Sequence, residues 1–241
     1  MSDLNQVQAY LQWLRSPEGK FPLAQKKRLV EALLSGWPRR GHTVLEVGCG
    51  PGLFLEMLWE AGLDPTGLEE SPALLDSVRK HMGSKVDLFL GKYDSLPFED
   101  DEFDYVTLMS TLDFAENVEE LLAEAFRVAS KGLLVCFNNA WSFACLGKKI
   151  KRGPEQPRSL EYICPLKMFR MLRKVAGKSD YCFRTTLLGV PGTWREDSSF
   201  SFINRSVTFL PFGAVAGIRL DLAAPATGTL LPLSISSPDP V

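Results

Sequence analysis

Thr43-Val44-Leu45-Glu46-Val47-Gly48-Cys49-Gly50-Pro51-Gly52 decides the fold: an apolar run ends in three alternate glycines and opens directly into Leu53–Ala61, a stretch of helical character. A short apolar run bounded by glycines reads as a buried strand, and the apolar spacing after it reads as a helix. Glycine at such a junction lets backbone approach a ligand, because it lacks a Cβ and tolerates positive φ. In open α/β sheets ligands sit at the carboxyl ends of strands, where the strand order reverses, so this loop is in the right place. A tight strand-to-helix turn without a ligand is the plainer alternative, but three alternate glycines exceed what a turn needs.

The alternation continues downstream. Pro65–Leu68 reads as a strand ending at Glu69, Ser71-Pro72 opens a helix through Lys80, and Val86–Leu90 and Phe103–Met109 are further strands. Ser71 suits an N-cap and Pro72 the first helical position. Val118–Ala129 places Leu121, Leu122, Ala125 and Val128 on one helical face, and Gly132–Phe137 is a fifth strand. Five strands separated by helices predict a doubly wound, mostly parallel sheet with helices on both faces. Residues 140–164, with Gly147, Gly153, Pro154 and Pro157, read as a long loop. Leu166–Val175 reads as a helix, and Tyr181–Leu187 and Ala214–Leu222 as an antiparallel pair that closes a seven-stranded sheet.

Upstream, Leu4, Val7, Leu11 and Leu14 form a helical stripe, Ser16-Pro17-Glu18-Gly19 breaks it, and Pro22–Leu34 is a second helix. The expected organisation is one Rossmann-like α/β domain over residues 1–241. Residues 1–40 would form a helical lid, 41–138 the cofactor-binding core, and 139–241 the acceptor-side and sheet-closing part.

Composition narrows the function classes. Lys and Arg number 27 against 29 Asp and Glu, a formal net charge of −2, which gives no reason to expect nucleic acid as a partner. The basic run Lys148-Lys149-Ile150-Lys151-Arg152 reads as a solvated loop. No apolar run approaches the ~18–20 residues of a membrane helix, and Met1–Gln6 has no signal-like character. Five scattered cysteines without a CxxC pair predict neither a metal site nor a disulfide framework, and reduced thiols fit a cytoplasmic protein. Cys136 and Cys182 lie in apolar runs and are expected to be buried.

The loop's chemistry selects among nucleotide-like ligands. The dinucleotide fingerprint G-x-G-x-x-G needs a third glycine where Leu53 stands, and no G-x-x-x-x-G-K-[ST] sequence is present. Glu46 disfavours a pyrophosphate and suits an ammonium or a sulfonium. Glu69, at the end of the second strand, is placed to accept both hydroxyls of a ribose. A ribose without phosphate beside extra negative charge describes S-adenosylmethionine better than NAD.

Val44 to Gly52 resembles the first motif of the class I S-adenosylmethionine-dependent methyltransferases, and Gly67-Leu68-Glu69-Glu70-Ser71-Pro72 is similar to their second-strand segment. Leu96-Pro97-Phe98 followed by Phe103-Asp104-Tyr105-Val106, then Leu112 to Asn117 and Glu124 to Val128, continue the resemblance in order, from about residue 40 to 138. The set is closest to the small-molecule branch. It implies a small-molecule acceptor and a cofactor site made of Glu46, Gly48, Cys49, Gly50, Gly52, Glu69, Glu70, Tyr93, Asp94, Met109 and Thr111. Tyr10, with Trp13, belongs to a helix that in related enzymes covers the cofactor, or else packs as an ordinary amphipathic helix.

Two positions depart from the family. Lys92 stands where an acidic residue usually precedes the adenine-contacting segment, and Phe114 replaces a frequent histidine, so a base is missing there. Methyl transfer from a sulfonium needs near-attack geometry first, and a base only when the acceptor starts protonated. Asp113 is the candidate base. His42 precedes the first strand, and His81 ends a helix. Residues 140–164 and the aromatic segment Trp194–Phe212 are expected to roof the acceptor, although Phe200-Ser201-Phe202-Ile203 reads equally as an edge strand at an interface. The competing readings are a non-catalytic S-adenosylmethionine-binding module and, disfavoured by Leu53 and Glu46, a nicotinamide oxidoreductase.

Overall fold

The computed structural model describes residues 12, 16–113, 115, 117–150, 162–177 and 179–222. Strands β1 (Thr43–Val47), β2 (Asp64–Glu69), β3 (Asp87–Leu90), β4 (Phe103–Leu108), β5 (Ala129–Asn139), β6 (Tyr162–Ile163), β7 (Asp180–Thr186) and β8 (Val215–Asp221) form one sheet. Its order is β3-β2-β1-β4-β5-β8-β7, with the two-residue β6 paired to β5 off that path. The seven expected strands are all present, and β6 is an addition. Only β8 runs against its neighbours, antiparallel to both β5 and β7. Chain order reverses between β1 and β4, so the loop after β1 opens at the switch point.

Helices α1 (Pro17–Leu34), α2 (Leu53–Glu60), α3 (Pro72–Met82), α4 (Val118–Arg127), α5 (Phe143–Ile150), α6 (Pro165–Ala176) and α7 (Ser201–Arg205) accompany it. On one face Leu29, Val30, Leu33 and Leu34 of α1 pack with Phe54, Met57 and Leu58 of α2 against Val44, Tyr105 and Cys136. On the other, Leu121, Leu122 and Ala125 of α4 and Met168, Met171 and Leu172 of α6 cover Leu45, Val47, Val106 and Val135. Each such buried aliphatic side chain contributes about 1.5–3 kcal/mol, so both layers are fixed by the sheet's alternation.

Capping explains where several helices begin. Asn117 Oδ1 accepts from the Glu119 and Glu120 amides, at 3.1 and 3.3 Å, which starts α4; such a cap is worth about 1 kcal/mol. At the other end of α4, Arg127 reaches the Leu96 and Phe98 carbonyls, at 3.1 and 2.9 Å, and pins the Leu96-Pro97-Phe98 turn ahead of β4.

The structure differs from the sequence expectation in five places. The helix expected from Pro22 starts five residues earlier: Ser16 accepts from the Gly19 amide at 3.2 Å, and Pro17 occupies the first position. Pro22 then lies inside α1, where its side chain is buried. Ser71 precedes α3, but its side chain makes no capping bond. Residues 140–164 are not one long loop: α5 forms because Ser142 Oγ accepts from the Cys145 amide at 3.2 Å, and β6 follows. Phe200 to Ile203 is no edge strand, since residues 201–205 turn into α7. Cys136 is buried as expected, whereas Cys182 is only half-buried.

Helix α1 is packed into the core rather than suspended over the ligand edge, so the lid expectation does not extend to residues 17–34. Tyr10 and Trp13 lie outside the described residues.

Candidate cofactor site

The three loop glycines turn out to serve different ends. Gly48, Gly50 and Gly52 adopt φ of +70°, +54° and +81°, which strains any other residue. A Cβ on Gly48 would stand 2.5 Å from Thr111 Oγ1, and one on Gly52 would stand 3.0 Å from Val78 of α3. Those two are required by protein packing. A Cβ on Gly50 would meet nothing within 4 Å, so Gly50 alone borders open space. The loop is anchored by the Gly48 and Cys49 amides, which both donate to the Leu68 carbonyl, at 2.7 and 3.1 Å. Cys49 itself is buried. Burial, with Glu46 and Glu69 nearby, pushes its thiol well up, so it contributes backbone and packing rather than a nucleophile.

Glu69 closes the loop from β2. Its Oε2 accepts from the Gly50 amide at 2.9 Å, and its Oε1 accepts from the Glu70 amide at 2.9 Å, the Ser71 amide at 3.1 Å and the Tyr93 hydroxyl at 2.8 Å. A carboxylate offers about four lone-pair sites. With four donors already placed and three of them crowded on Oε1, Oε2 keeps one site for a further hydroxyl. Tyr93 is held in turn by its amide, which donates to Glu70 Oε1 at 3.1 Å, and by the bridge between Lys92 and Ser95 on either side of it. Burial and the Glu69 carboxylate raise the Tyr93 phenol, which therefore stays a hydrogen-bond donor. Asp94 is exposed beside it.

Glu46 lies under the loop on the α1–α2 side of β1 and is 1% exposed. Its Oε2 has no hydrogen-bond partner. Burial pushes its carboxyl well above the ordinary range; Lys26 and the Leu55 amide oppose that shift, and Glu69 reinforces it. Met109 and Thr111, expected beside a methionyl tail, are instead buried: Met109 is in the core, and the Thr111 hydroxyl is bonded to the Val47 carbonyl beneath Gly48. Half-buried Ser110, between them, is the residue at the rim, and it accepts from Lys26 Nζ at 3.0 Å. Sequence reasoning missed Gln25, Lys26 and Ser110. The signal available was a pair of polar residues on the otherwise apolar stripe of α1.

The same edge of the sheet continues past β5. Asn139 is fully buried: its amide nitrogen donates to the Pro211 and Gly213 carbonyls, at 2.7 and 2.8 Å, and its oxygen accepts from the Trp141 amide. This clasp sets Phe143 beside Phe212, with ring centroids 6.0 Å apart and both rings about half exposed. Asp113 belongs to a short 3-10 turn, Thr111–Asp113, but its side chain and Phe114 lie outside the described residues. His42 is at the opposite end of the sheet, 2.9 Å from Asp104, and His81 is exposed, 3.3 Å from Glu56. A solvent-open cleft of about 520 Å³ between α4 and α6 includes none of the residues around the glycine loop. Among the described residues no group of His, Cys, Asp and Glu is arranged to hold a metal.

These features fit S-adenosylmethionine: an orphaned buried carboxyl oxygen for a cationic group, one open carboxylate site for a ribose hydroxyl, and open space over Gly50. Comparison with known proteins agrees. Residues 45–137 match the family described as "Methyltransferase domain". A demethylmenaquinone methyltransferase of Renibacterium salmoninarum is 35% identical over 106 residues, covering 44% of each chain. A ubiquinone biosynthesis O-methyltransferase of Aromatoleum aromaticum is 29% identical over 149 residues, covering 56% of this chain and 63% of that one. The matched stretch thus spans about half the length of these curated relatives. A solved S-adenosylmethionine-dependent methyltransferase of Thermotoga maritima, described as a possible histamine N-methyltransferase, superposes with a TM-score of 0.73 at 22% identity. That match covers 90% of this chain and 96% of the other, and it establishes the shared fold.

Proposed function

We propose that this chain, whose residues 45–137 match the methyltransferase-domain family and which has the fold of a solved S-adenosylmethionine-dependent methyltransferase, transfers a methyl group from S-adenosylmethionine to a small-molecule acceptor. One observation carries the reading: Glu69 is fixed by four donors at the switch point with a single site left open beside Gly50. Such a carboxylate is preorganised for a neutral hydroxyl and repels a pyrophosphate. When bound, the cofactor supplies a methyl already activated on a sulfonium. The chain's own residues bind and orient: Glu69 holds the ribose, Glu46 takes the ammonium, and Tyr93 steadies Glu69 while the backbone of Tyr93 and Asp94 borders the adenine. Gly48 and Gly52 set the loop height, and Asp113 is the candidate base for an acceptor that starts protonated.

The acceptor lies at the adjoining aromatic edge. Exposed Phe143, Phe200, Phe202 and Phe212 support an acceptor with an apolar body, and so do the quinone-pathway names of two relatives. No helix among the described residues is long and apolar enough to cross a membrane, and five free cysteines support a cytoplasmic setting.

Titration of purified, cofactor-free protein with S-adenosylmethionine, S-adenosylhomocysteine and NAD tests this, with Glu69→Gln as the control. Binding of the first two, weakened at least tenfold in the variant, is expected. Binding of NAD alone, or of none, would overturn it. Binding without turnover across a panel of apolar phenols, quinols and amines would favour the non-catalytic module instead.

A further inference from the structure

Exposed apolar side chains are not spread evenly over the molecule. Among the described residues, nine of the thirteen large apolar side chains left exposed come from residues 141–212. The best-defined group stands where α5 meets the loop Phe209-Leu210-Pro211-Phe212. Phe143 and Leu146, one turn apart on α5, are exposed together, while Ala144 and Cys145 between them are buried. Phe143 adjoins Phe212, with ring centroids 6.0 Å apart, and Phe209, at 74%, is the most exposed large apolar side chain among the described residues.

The loop is held firmly. Thr208 exchanges both backbone bonds with Thr185, at 2.7 and 2.9 Å, and the Ala214 amide donates to the Leu187 carbonyl at 3.0 Å. Between those anchors the Leu210 carbonyl accepts from the Thr185 hydroxyl, and the Pro211 and Gly213 carbonyls accept from buried Asn139. These carbonyls turn inward onto the fold, and the loop's apolar side chains are left outside. A contiguous exposed apolar face of this kind marks a surface that another body covers.

Charge decides what that body is. The chain passes from Leu146 into Lys148-Lys149-Ile150-Lys151-Arg152, and no acid occurs between Trp141 and Gly153. Residues 139–213 hold thirteen Lys and Arg against five Asp and Glu, whereas the rest of the chain holds fourteen against twenty-four. A net-acidic protein has thus gathered its positive charge in the part of the chain that carries these exposed side chains. A second copy docked by the same face would set like charge against like charge. A bilayer with anionic headgroups complements both features: the headgroups attract the basic residues, and the acyl boundary takes the apolar side chains.

We propose that Phe143 and Leu146 of α5, with Phe209, Leu210 and Phe212, seat the protein on an anionic lipid surface without crossing it. The face continues, beyond β5, the sheet edge on which the glycine loop lies, so an apolar acceptor dissolved in the lipid would meet the site at its own edge. The docking itself is independent of the cofactor reading.

The test is cosedimentation of the full chain with vesicles of phosphatidylcholine alone and of phosphatidylcholine mixed with phosphatidylglycerol, at low and at high salt. Each basic residue near an anionic surface is worth roughly fivefold in affinity. Wild type should therefore prefer the mixed vesicles by at least about tenfold, and high salt should erase most of that preference. Phe209→Ser with Leu210→Ser should weaken binding to the mixed vesicles at least about tenfold, the worth of one fully buried apolar side chain, with the melting temperature unchanged. Leu146→Ser, on the other element of the face, should weaken it as well. Equal binding of wild type to both kinds of vesicle, no binding to either, or binding that the serine variants leave intact would overturn the proposal. A wild-type dimer in sedimentation velocity that Phe209→Ser with Leu210→Ser dissociates would also overturn it and give the face to a second copy. None of these outcomes bears on S-adenosylmethionine binding, which the titration above decides by itself.

Discussion

Glu46→Gln should make the protein more stable and its cofactor site worse. The wild-type carboxyl is almost completely buried, has one unpartnered oxygen, and is pushed well above its ordinary range chiefly by burial. A group whose folded-state pKa is raised in this way holds a proton that the unfolded chain releases. Its penalty is therefore absent below the unfolded value of about 4.3 and grows as pH rises towards the folded one. Keeping a proton at pH 7 on a carboxyl that would otherwise lose it near 4.3 costs at most about 3.7 kcal/mol, at 1.36 kcal/mol per pH unit. Glutamine needs no proton but still buries a polar amide, worth about 1 kcal/mol against it. A net gain of about 1–3 kcal/mol at pH 7 follows. At about 2–4 °C per kcal/mol for a chain of this size, it is readable by thermal melting. The gain should shrink at pH 4.5 and grow as pH rises above it. S-adenosylhomocysteine should bind the variant about tenfold or more weakly, since a charge-assisted bond to the ammonium is lost. Wild-type binding should also release protons, seen as a buffer-dependent heat. A variant less stable at every pH, with the same pH profile as wild type, would refute the reasoning.

The loop glycines make a matched pair. Gly48→Ala, facing Thr111 at 2.5 Å, should cost clearly more stability than Gly50→Ala, whose cost is the left-handed backbone alone, about 1–2 kcal/mol; Gly50→Ala should instead show its main effect in ligand titration. Tyr93→Phe and Glu69→Gln should be coupled in S-adenosylhomocysteine affinity by about 0.5–3 kcal/mol in a double-mutant cycle, whereas additive effects would separate the two residues. At Asp104 burial alone would raise the carboxyl, but Lys131, His42 and the Thr43 amide outweigh it and hold it low. Its stabilisation is thus complete above about pH 3.9 and is lost as pH falls through the lower folded value. Asp104→Asn should be about 1 kcal/mol less stable at pH 7 and should converge on wild type in acid; a constant gap in melting scans would contradict this. Phe143→Ser with Phe212→Ser should lower kcat/KM for apolar acceptors while leaving S-adenosylhomocysteine affinity unchanged.

Periodicity made most of the architecture legible, because a strand buried on both faces and an amphipathic helix each leave a pattern that burial alone explains. Its errors fell where a local cap decides the outcome. Ser16 and Ser142 each start a helix with one side-chain bond, the first five residues before the expected start at Pro22 and the second inside an expected loop. Of the candidate site, Gly50, Glu69 and Tyr93 are brought together as expected, because a strand end and its loop are fixed by connectivity. Met109 and Thr111 were misplaced because their side chains turn into the core at the end of β4, leaving Ser110 at the rim.

By itself, then, the chain's sequence determined an α/β sheet with a glycine loop at its switch point and acids suited to a cationic, ribose-bearing ligand. Those are properties of residue type and spacing along one βαβ path. Only the tertiary structure decided which atoms remain free to act. Gly50 and not Gly48 borders open space, Glu69 has one site left rather than two, and Lys26 of α1 reaches Ser110 at the end of β4. Such contacts join segments far apart in the chain through packing and partner count, which no local pattern records.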